Sequence, residues 1–439
     1  MTKKKEQSTM RIGLLGLGTV GTGVVKLLRE NSDIINMKTG LNLEIAKVLV
    51  RDAKRPRPGV PEDLPITDDV REILADPSIK IVVEVMGGVE PARAYMIDAL
   101  KAGKTVVTAN KDVVSQYGKD LYAAGDVGDA ELYFEASVGG GIPVIRPLKE
   151  SMSANRMQKV MGIVNGTTNY ILTQMSQFGR PYEEALREAQ ALGFAEADPT
   201  NDVQGYDAGR KLAILASIAF MSRVTPDQVF TEGITRVTPK DIEYGRRFGW
   251  TIKLLAIGKE VDGQIEARVH PAFVPSSHPL ASVHGSLNAI FTEGDPVGET
   301  MFLGRGAGAG PTASAVVGDL ISAALSKRTP GRRAGDACTC LFEKKVVDMG
   351  QVSAKYYLRL TSEDKPGVLA HITMAFGAEG VSIAQMVQGT GGDVATDDGK
   401  GELVLVTHTV KEAQMQRVVK RLNGIPEVLS VDNVIRVEA

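Results

Sequence analysis

Thiols, imidazoles and long apolar runs are all scarce in this chain, and each scarcity removes a class of function. Only two cysteines occur in 439 residues, too few for a disulfide-stapled secreted fold, so a reducing cytoplasm is expected. They stand together in Asp336-Ala337-Cys338-Thr339-Cys340; one pair cannot build a structural zinc site, and both read as bystanders. Three of the five histidines, His270, His278 and His284, share one segment. No acid accompanies them at a metal-ligand spacing such as HExxH, so they read as turn and core-edge residues. No apolar stretch approaches the ~20 residues of a membrane span, and the N-terminus lacks the apolar core of a signal peptide. No membrane partner is expected. Lysine plus arginine number 51 against 53 acids, without the basic excess of a nucleic-acid binder. The one charge run, Lys3-Lys4-Lys5, reads as part of a disordered, solubilising tail over residues 1–9.

What is present divides by length into two or three domains. Residues 10–15 are a short apolar strand running into Gly16-Leu17-Gly18-Thr19-Val20-Gly21, and a helical pattern follows to Arg29. A GxGxxG with a strand before it and a helix after it is a dinucleotide-binding turn. Gly16 permits the bend, Gly18 lets the backbone approach a pyrophosphate, and Gly21 brings helix and strand close. The helix N-terminus then offers unpaired N–H groups to the phosphates.

The second strand, 43–50, ends at Arg51 with Lys54, Arg55 and Arg57 close behind. Cations at that strand end suit a ribose 2′-phosphate, so NADP is favoured; Asp52 keeps NAD possible. Two further strands, 81–86 and 105–107, end in Gly87-Gly88 and in Thr108-Ala109-Asn110-Lys111. Lys111 therefore opens the next helix on the ligand side of the sheet. The strand 132–135 leads to Ala136-Ser137-Val138-Gly139-Gly140-Gly141-Ile142. By chemistry alone the three glycines are a hinge leaving the nucleotide domain, although one carboxylate among bare carbonyls is also what a hard cation takes.

Farther along, Glu196, Asp198, Asp202 and Asp207 precede Lys211 on the approach to a helix and in its first turns. Asp207 and Lys211 are four apart and share a helix face. Clustered carboxylates around one ammonium are a common way to build a chemical site; a solvated face with an ordinary ion pair would have the same spacing. The cofactor turn upstream favours the chemical site.

Several stretches together resemble the homoserine dehydrogenases that carry a C-terminal ACT domain. They are GLLGLGTVG at 13–21, TANK at 108–111, EASVGGGIPVI at 135–145 and GIVNGTTNYIL at 162–172. ALGFAEADPTNDVQGYDAGRKLAIL at 191–215 and GRGAGAGPTASAVVGD at 304–319 complete the set. The resemblance implies reversible reduction of L-aspartate 4-semialdehyde to L-homoserine with NAD(P)H, on the route to threonine and methionine. It implies Lys211 as the acid/base at the reacting oxygen and Lys111 beside the nicotinamide. Glu196 and Asp207 would hold the substrate's polar groups, supported by Asp202. Gly308 would close over the cofactor. A sodium ion would be held by the Glu135 side chain and the carbonyls of Val138, Gly140 and Ile142. A homodimer or homotetramer is expected.

The fold expected is an α/β Rossmann nucleotide-binding domain over 10–150, completed by a helix at 312–325. An α+β substrate and dimerisation domain follows over 151–311. A cationic linker at 326–352 leads to a βαββαβ ACT domain at 353–439, opened by Asp364-Lys365-Pro366-Gly367-Val368-Leu369. The resemblance makes that domain a sensor, with threonine as effector, or else a dimerisation module. Ser382 stands where many amino-acid-binding ACT domains have asparagine. The loop 389–401, rich in Gly, Asp and Thr, reads as mobile.

Overall fold

The computed structural model describes residues 8–57, 59–328, 337–389 and 399–438. The lysine run at the N-terminus, residues 329–336 of the expected linker and most of the loop 389–401 lie outside these. The chain divides into two compact units, one of residues 1–160, 210–228 and 287–344, the other of 161–209, 229–286 and 345–439.

The first unit is built on six parallel strands. In chain order these are β1 (Ser8–Leu15), β2 (Leu41–Leu49), β3 (Ile66–Thr67), β4 (Ile79–Glu84), β5 (Thr105–Thr108) and β6 (Leu132–Tyr133). Their spatial order is β3-β2-β1-β4-β5-β6. β1 starts two residues before the apolar run, because Ser8 and Thr9 pair with Leu41 and Asn42. In β4 every residue but Lys80 is buried, the pattern of a parallel strand covered on both faces. The helix Thr19–Glu30 buries Gly21, Val24, Val25 and Leu28, one face at helical spacing. The helix Ala309–Arg328 returns to the same sheet, where Val316, Val317 and Leu320 join Ile12, Leu14, Val83 and Val107 in one core.

Glu135 is not on a strand. β6 stops at Tyr133, and Glu135–Ser137 forms a single 3₁₀ turn. The cause is local: the Glu135 carboxylate accepts three backbone N–H groups from Val144, Ile145 and Arg146, at 2.6–2.8 Å. That ties the glycine loop back on its own start. Gly140 (φ 56°) is required there, since a Cβ would collide with the Gly306 carbonyl.

The second unit holds a sheet with the spatial order Trp250–Val261, Gln264–Pro275, Val428–Val437, Ser353–Glu363, Lys400–Thr407, Ile383–Gly389. With the helices Val368–Ala378 and Glu412–Leu422, the last four strands make a βαββαβ module. Tyr356, Leu358, Ile372, Phe376, Leu405, Met415 and Val418 form its core. The module's final strand continues the neighbouring hairpin in parallel, with Ala272 beside Arg436 and Phe273 beside Val437.

Candidate active site

In the first unit the sheet reverses direction of growth between β1 and β4, so their C-terminal ends leave a crevice, where open α/β sheets take ligands. Gly16 to Gly21 border it. A Cβ at Gly21 would strike the Gly16 carbonyl, whereas Gly18 is exposed with no atom within 4 Å of the same test position. No side chain caps the helix at Gly18, which leaves its first N–H groups to a ligand. Leu17 and Val20 are half-buried and Thr19 is exposed. Gly308 (φ 111°) opens the helix Ala309–Arg328, which packs on the helix Thr19–Glu30.

Arg51 is exposed just past β2. The other cations of that loop are not equivalent: the Arg57 guanidinium donates to the carbonyls of Asp52 and Arg55, both at 2.7 Å. Arg57 therefore shapes the loop, and Asp52 accepts from the Lys54 N–H at 2.9 Å.

Lys111 is the first residue of the helix Lys111–Gly128. Asn110 caps that helix by accepting from the Val113 N–H, while its amide donates to the Gly88 carbonyl at 2.7 Å. Glu84, fully buried at the end of β4, accepts from the Met86 N–H at 2.8 Å and the Thr108 hydroxyl at 2.6 Å. Burial pushes its carboxyl above the usual range, against those hydrogen bonds. Glu84 and Asn110 thus fix the crevice floor from which Lys111 starts. The sequence reading passes over both, because an acid inside an apolar run gives no sign of what it will hold. Asp112 pairs with Arg210 at 3.0 Å. This ion pair ties the start of the Lys111 helix to the helix Tyr206–Ala219, one residue from Lys111 and one from Lys211.

In the second unit the acids converge on one amide. Asn165 donates to Asp202 Oδ1 at 2.7 Å and to Asp207 Oδ2 at 2.9 Å. Its own Oδ1 accepts from the Thr168 N–H at 2.9 Å, capping the helix Gly166–Phe178. One side chain thus starts a helix and holds two carboxylates in place. Asp207 is buried and Asp202 half-buried. Glu196 is exposed, and its backbone carbonyl accepts from the Gln190 amide at 3.1 Å. Asp198 is spent locally, accepting from the Thr200 N–H and hydroxyl at 3.1 and 2.6 Å. Asp207 and Lys211 lie one turn apart on the helix Tyr206–Ala219, with Lys211 half-exposed. Asn165 is, like Glu84 and Asn110, not singled out by the sequence, though the stretch 162–172 contains it.

Glu135 is buried, and its backbone N–H donates to Asp319 at 2.7 Å. Burial and the Glu135 charge push Asp319 up to about 7, opposed by that N–H and by Arg146, whose guanidinium bonds it at 2.6 Å. Among the described residues no three His, Cys, Asp or Glu side chains group to hold a metal. A single-carboxylate site is a different case. Three N–H groups do not exhaust the roughly four acceptor positions of a carboxylate, so the oxygens of Glu135, Val138, Gly140 and Ile142 fit a hard cation. The histidines have structural places. His270 is fully buried within the strand Gln264–Pro275, not in a turn, and His278 accepts from the Leu280 N–H at 3.1 Å. No helix among the described residues is long and apolar enough to cross a membrane.

Known proteins match this chain over most of its length. Family models for the homoserine dehydrogenase NAD-binding domain, homoserine dehydrogenase and the ACT domain match residues 16–135, 143–321 and 356–427. A homoserine dehydrogenase of Corynebacterium glutamicum is 45% identical, over 98% of this chain and 96% of its own. The crystal structure of a homoserine dehydrogenase from Thiobacillus denitrificans superposes with a TM-score of 0.92 at 39% identity, covering 98% of both chains. A hyperthermophilic archaeal homoserine dehydrogenase in complex with NADPH superposes at 0.62 with 27% identity, over 74% of this chain and all of its own. The switch-point crevice, the amide-held acids and these full-length matches agree: this oxidoreductase belongs to the homoserine dehydrogenase family, with an NAD-binding domain, a second sheet-bearing domain and a C-terminal ACT domain.

Proposed function

We propose that the chain reduces L-aspartate 4-semialdehyde to L-homoserine reversibly, in threonine and methionine biosynthesis, with Lys211 as the acid/base. The observation that carries this reading is the Asn165 bridge, which holds Asp202 and Asp207 together, with Asp207 one turn before Lys211 on the same helix. A bound nicotinamide cofactor supplies or accepts the hydride. Lys211 gives a proton to the oxygen of the reacting carbon and recovers it in the reverse direction; a donor so placed contributes ~10²–10⁴-fold to the rate. Lys111 adds positive charge where the oxygen becomes anionic. Asp207 and Glu196 take the substrate's α-ammonium and other polar groups through charge-assisted hydrogen bonds, with Asp202 in support.

Gly16 to Gly21 and Gly308 hold the cofactor. Exposed Arg51 favours the 2′-phosphate of NADP, as does the NADPH in the archaeal neighbour. Glu135, Val138, Gly140 and Ile142 would hold a sodium ion, whose charge would stiffen the glycine loop. Threonine is the proposed effector of the ACT domain, and a homodimer or homotetramer the proposed assembly. Steady-state oxidation of NADPH with fresh aspartate semialdehyde tests the assignment. Turnover at rates typical of dehydrogenases is expected. No turnover, or ammonia release from aspartate instead, would overturn it.

A further inference from the structure

The two cysteines set aside above line a cavity of about 200 Å³ in the first unit. Its walls include Val114 and Gly118 of the helix Lys111–Gly128, and Ile214 and Ile218 of the helix Tyr206–Ala219. These are the helices that carry Lys111 and Lys211. The segment bearing the thiols is docked rather than loose. Phe342 N–H donates to the Met221 carbonyl at 2.9 Å, and Lys344 N–H to the Ser222 hydroxyl at 2.8 Å. Leu341 N–H donates to the Thr339 carbonyl at 2.8 Å, a tight turn centred on Cys340. Cys338 is half-buried and Cys340 exposed. Both sulfurs therefore share one opening and are within reach of a small reagent.

Cys340 as a hydrogen-bond donor favours the Cys338 thiolate and brings that thiol down to about 6 despite its burial, assisted by the Cys340 N–H and by the charges of Lys149 and Arg223. Cys340, as the donor, is pushed up. Lys149 stands over the rings of Tyr122 and Phe134, and Arg223 bonds the Gln116 carbonyl. The charged residues lining the cavity are Lys119, Arg223 and Glu343. The pair shares one proton, so one sulfur is nucleophilic and the other holds the proton in reserve.

We propose that Cys338 and Cys340 form a thiol–disulfide exchange site opening on this cavity, with a low-molecular-weight disulfide as oxidant. Cys338 thiolate attacks one sulfur of the reagent RSSR, forming a mixed disulfide and expelling RS⁻. Cys340 then attacks the Cys338 sulfur, loses its proton and displaces the second RS⁻. Starting from one thiolate and one thiol, the protein gives up two electrons and one proton; the two RS⁻ released take that proton and a second from solvent, and leave as two RSH. Cys338 and Cys340 are separated by Thr339 alone; Cα atoms two residues apart lie at most ~7 Å from each other, so a bend at Thr339 suffices for the ~4.4–6.8 Å that a disulfide spans, and exposed disulfides of this kind are labile ones.

The test uses the full-length protein with oxidised glutathione near neutral pH, followed by denaturing alkylation and mass spectrometry. In the wild type the peptide containing 338–340 should lose two hydrogens, resist alkylation, and recover both thiols with dithiothreitol. Cys340→Ser should stop at a glutathione adduct on Cys338. Cys338→Ser should react on the order of tenfold more slowly, because an ordinary thiol is mostly protonated there. Two thiols that stay alkylatable in the wild type would overturn the proposal. So would a Cys338→Ser variant that reacts as fast as the wild type.

Discussion

Lys211 and Arg51 are charged side chains whose proposed work differs in kind, and single substitutions separate the two. Lys211→Ala removes a proton donor and leaves the Gly16–Gly21 turn untouched. kcat is expected to fall by at least ~10²-fold with little change in cofactor affinity, measured by steady-state kinetics and NADPH titration; normal turnover would take Lys211 out of the mechanism. Arg51→Ala removes a cation from the exposed end of β2. NADPH binding should weaken by ~10-fold while NADH is unaffected, one charge-assisted contact at the phosphate being lost. Equal losses for both cofactors would mean that Arg51 only solvates its loop. The helix positions of Lys111 and Lys211 and the glycine turn could be read from the sequence because they follow from local patterns. Glu84 and Asn110 could not, since what they hold, Thr108 and Gly88, is decided by how strands and loops meet.

A residue that starts a helix can also hold partners that lie far away in the chain. The helix Gly166–Phe178 starts at Asn165 because Asn165 caps it, and the same amide reaches 37 and 42 residues onward to Asp202 and Asp207. Sequence shows the acids as a cluster and the NGTT stretch as a motif, but not that one side chain joins them. Asn165→Ala should therefore cost more than the ~1 kcal/mol of a lost cap. It also deprives buried Asp207 of a donor, worth a further ~1–3 kcal/mol, and KM for homoserine should rise as the carboxylates lose their orientation. Urea unfolding and initial rates check the two parts; a loss of about 1 kcal/mol with unchanged KM would reduce Asn165 to a cap. The same dependence moved Glu135 off its expected strand. An extended backbone there would not let its carboxylate collect the N–H groups of Val144, Ile145 and Arg146.

The ACT domain's order of strands and helices followed from the alternation of apolar runs, and the described elements match it closely. Its attachment could not be read that way. The final strand extends the sheet of the preceding hairpin, and the expected linker is pinned where Val347 N–H meets the Ile265 carbonyl at 2.7 Å. Charge is buried across this junction. Arg268 bonds Glu438 at 2.8 Å, Arg436 bonds Glu232 at 2.7 Å, and Arg359 bonds Asp241 at 2.8 Å. Asp241 also accepts from Tyr357, Asn433 and Thr238, so its buried carboxylate is well satisfied. Removing the ACT domain would strip partners from Arg268, Glu232 and Asp241 together. A chain ended at Gln351 should consequently lose solubility or unfold at much lower urea, even if the catalytic residues are intact.

Acid should expose the same junction in the intact chain. Burial works against the Glu438 charge, yet Arg268 and Lys259 hold its carboxyl well below the usual range. A carboxyl lowered on folding adds stability that is complete above its unfolded value of about 4.3 and is lost as pH falls toward the folded one. Stability should therefore decline steeply on acidification below about pH 4.3. Glu438→Gln should flatten that acid limb. At neutral pH the variant should lie ~3 kcal/mol lower, because Arg268 keeps its charge in a buried site and, among the described residues, retains only Glu266 as a carboxylate partner. Urea midpoints measured across acidic and neutral pH check both effects. A variant whose acid limb parallels the wild type's would show that protonation elsewhere governs unfolding. The buried charges between hairpin and ACT module would then be too well hydrated to lock them together.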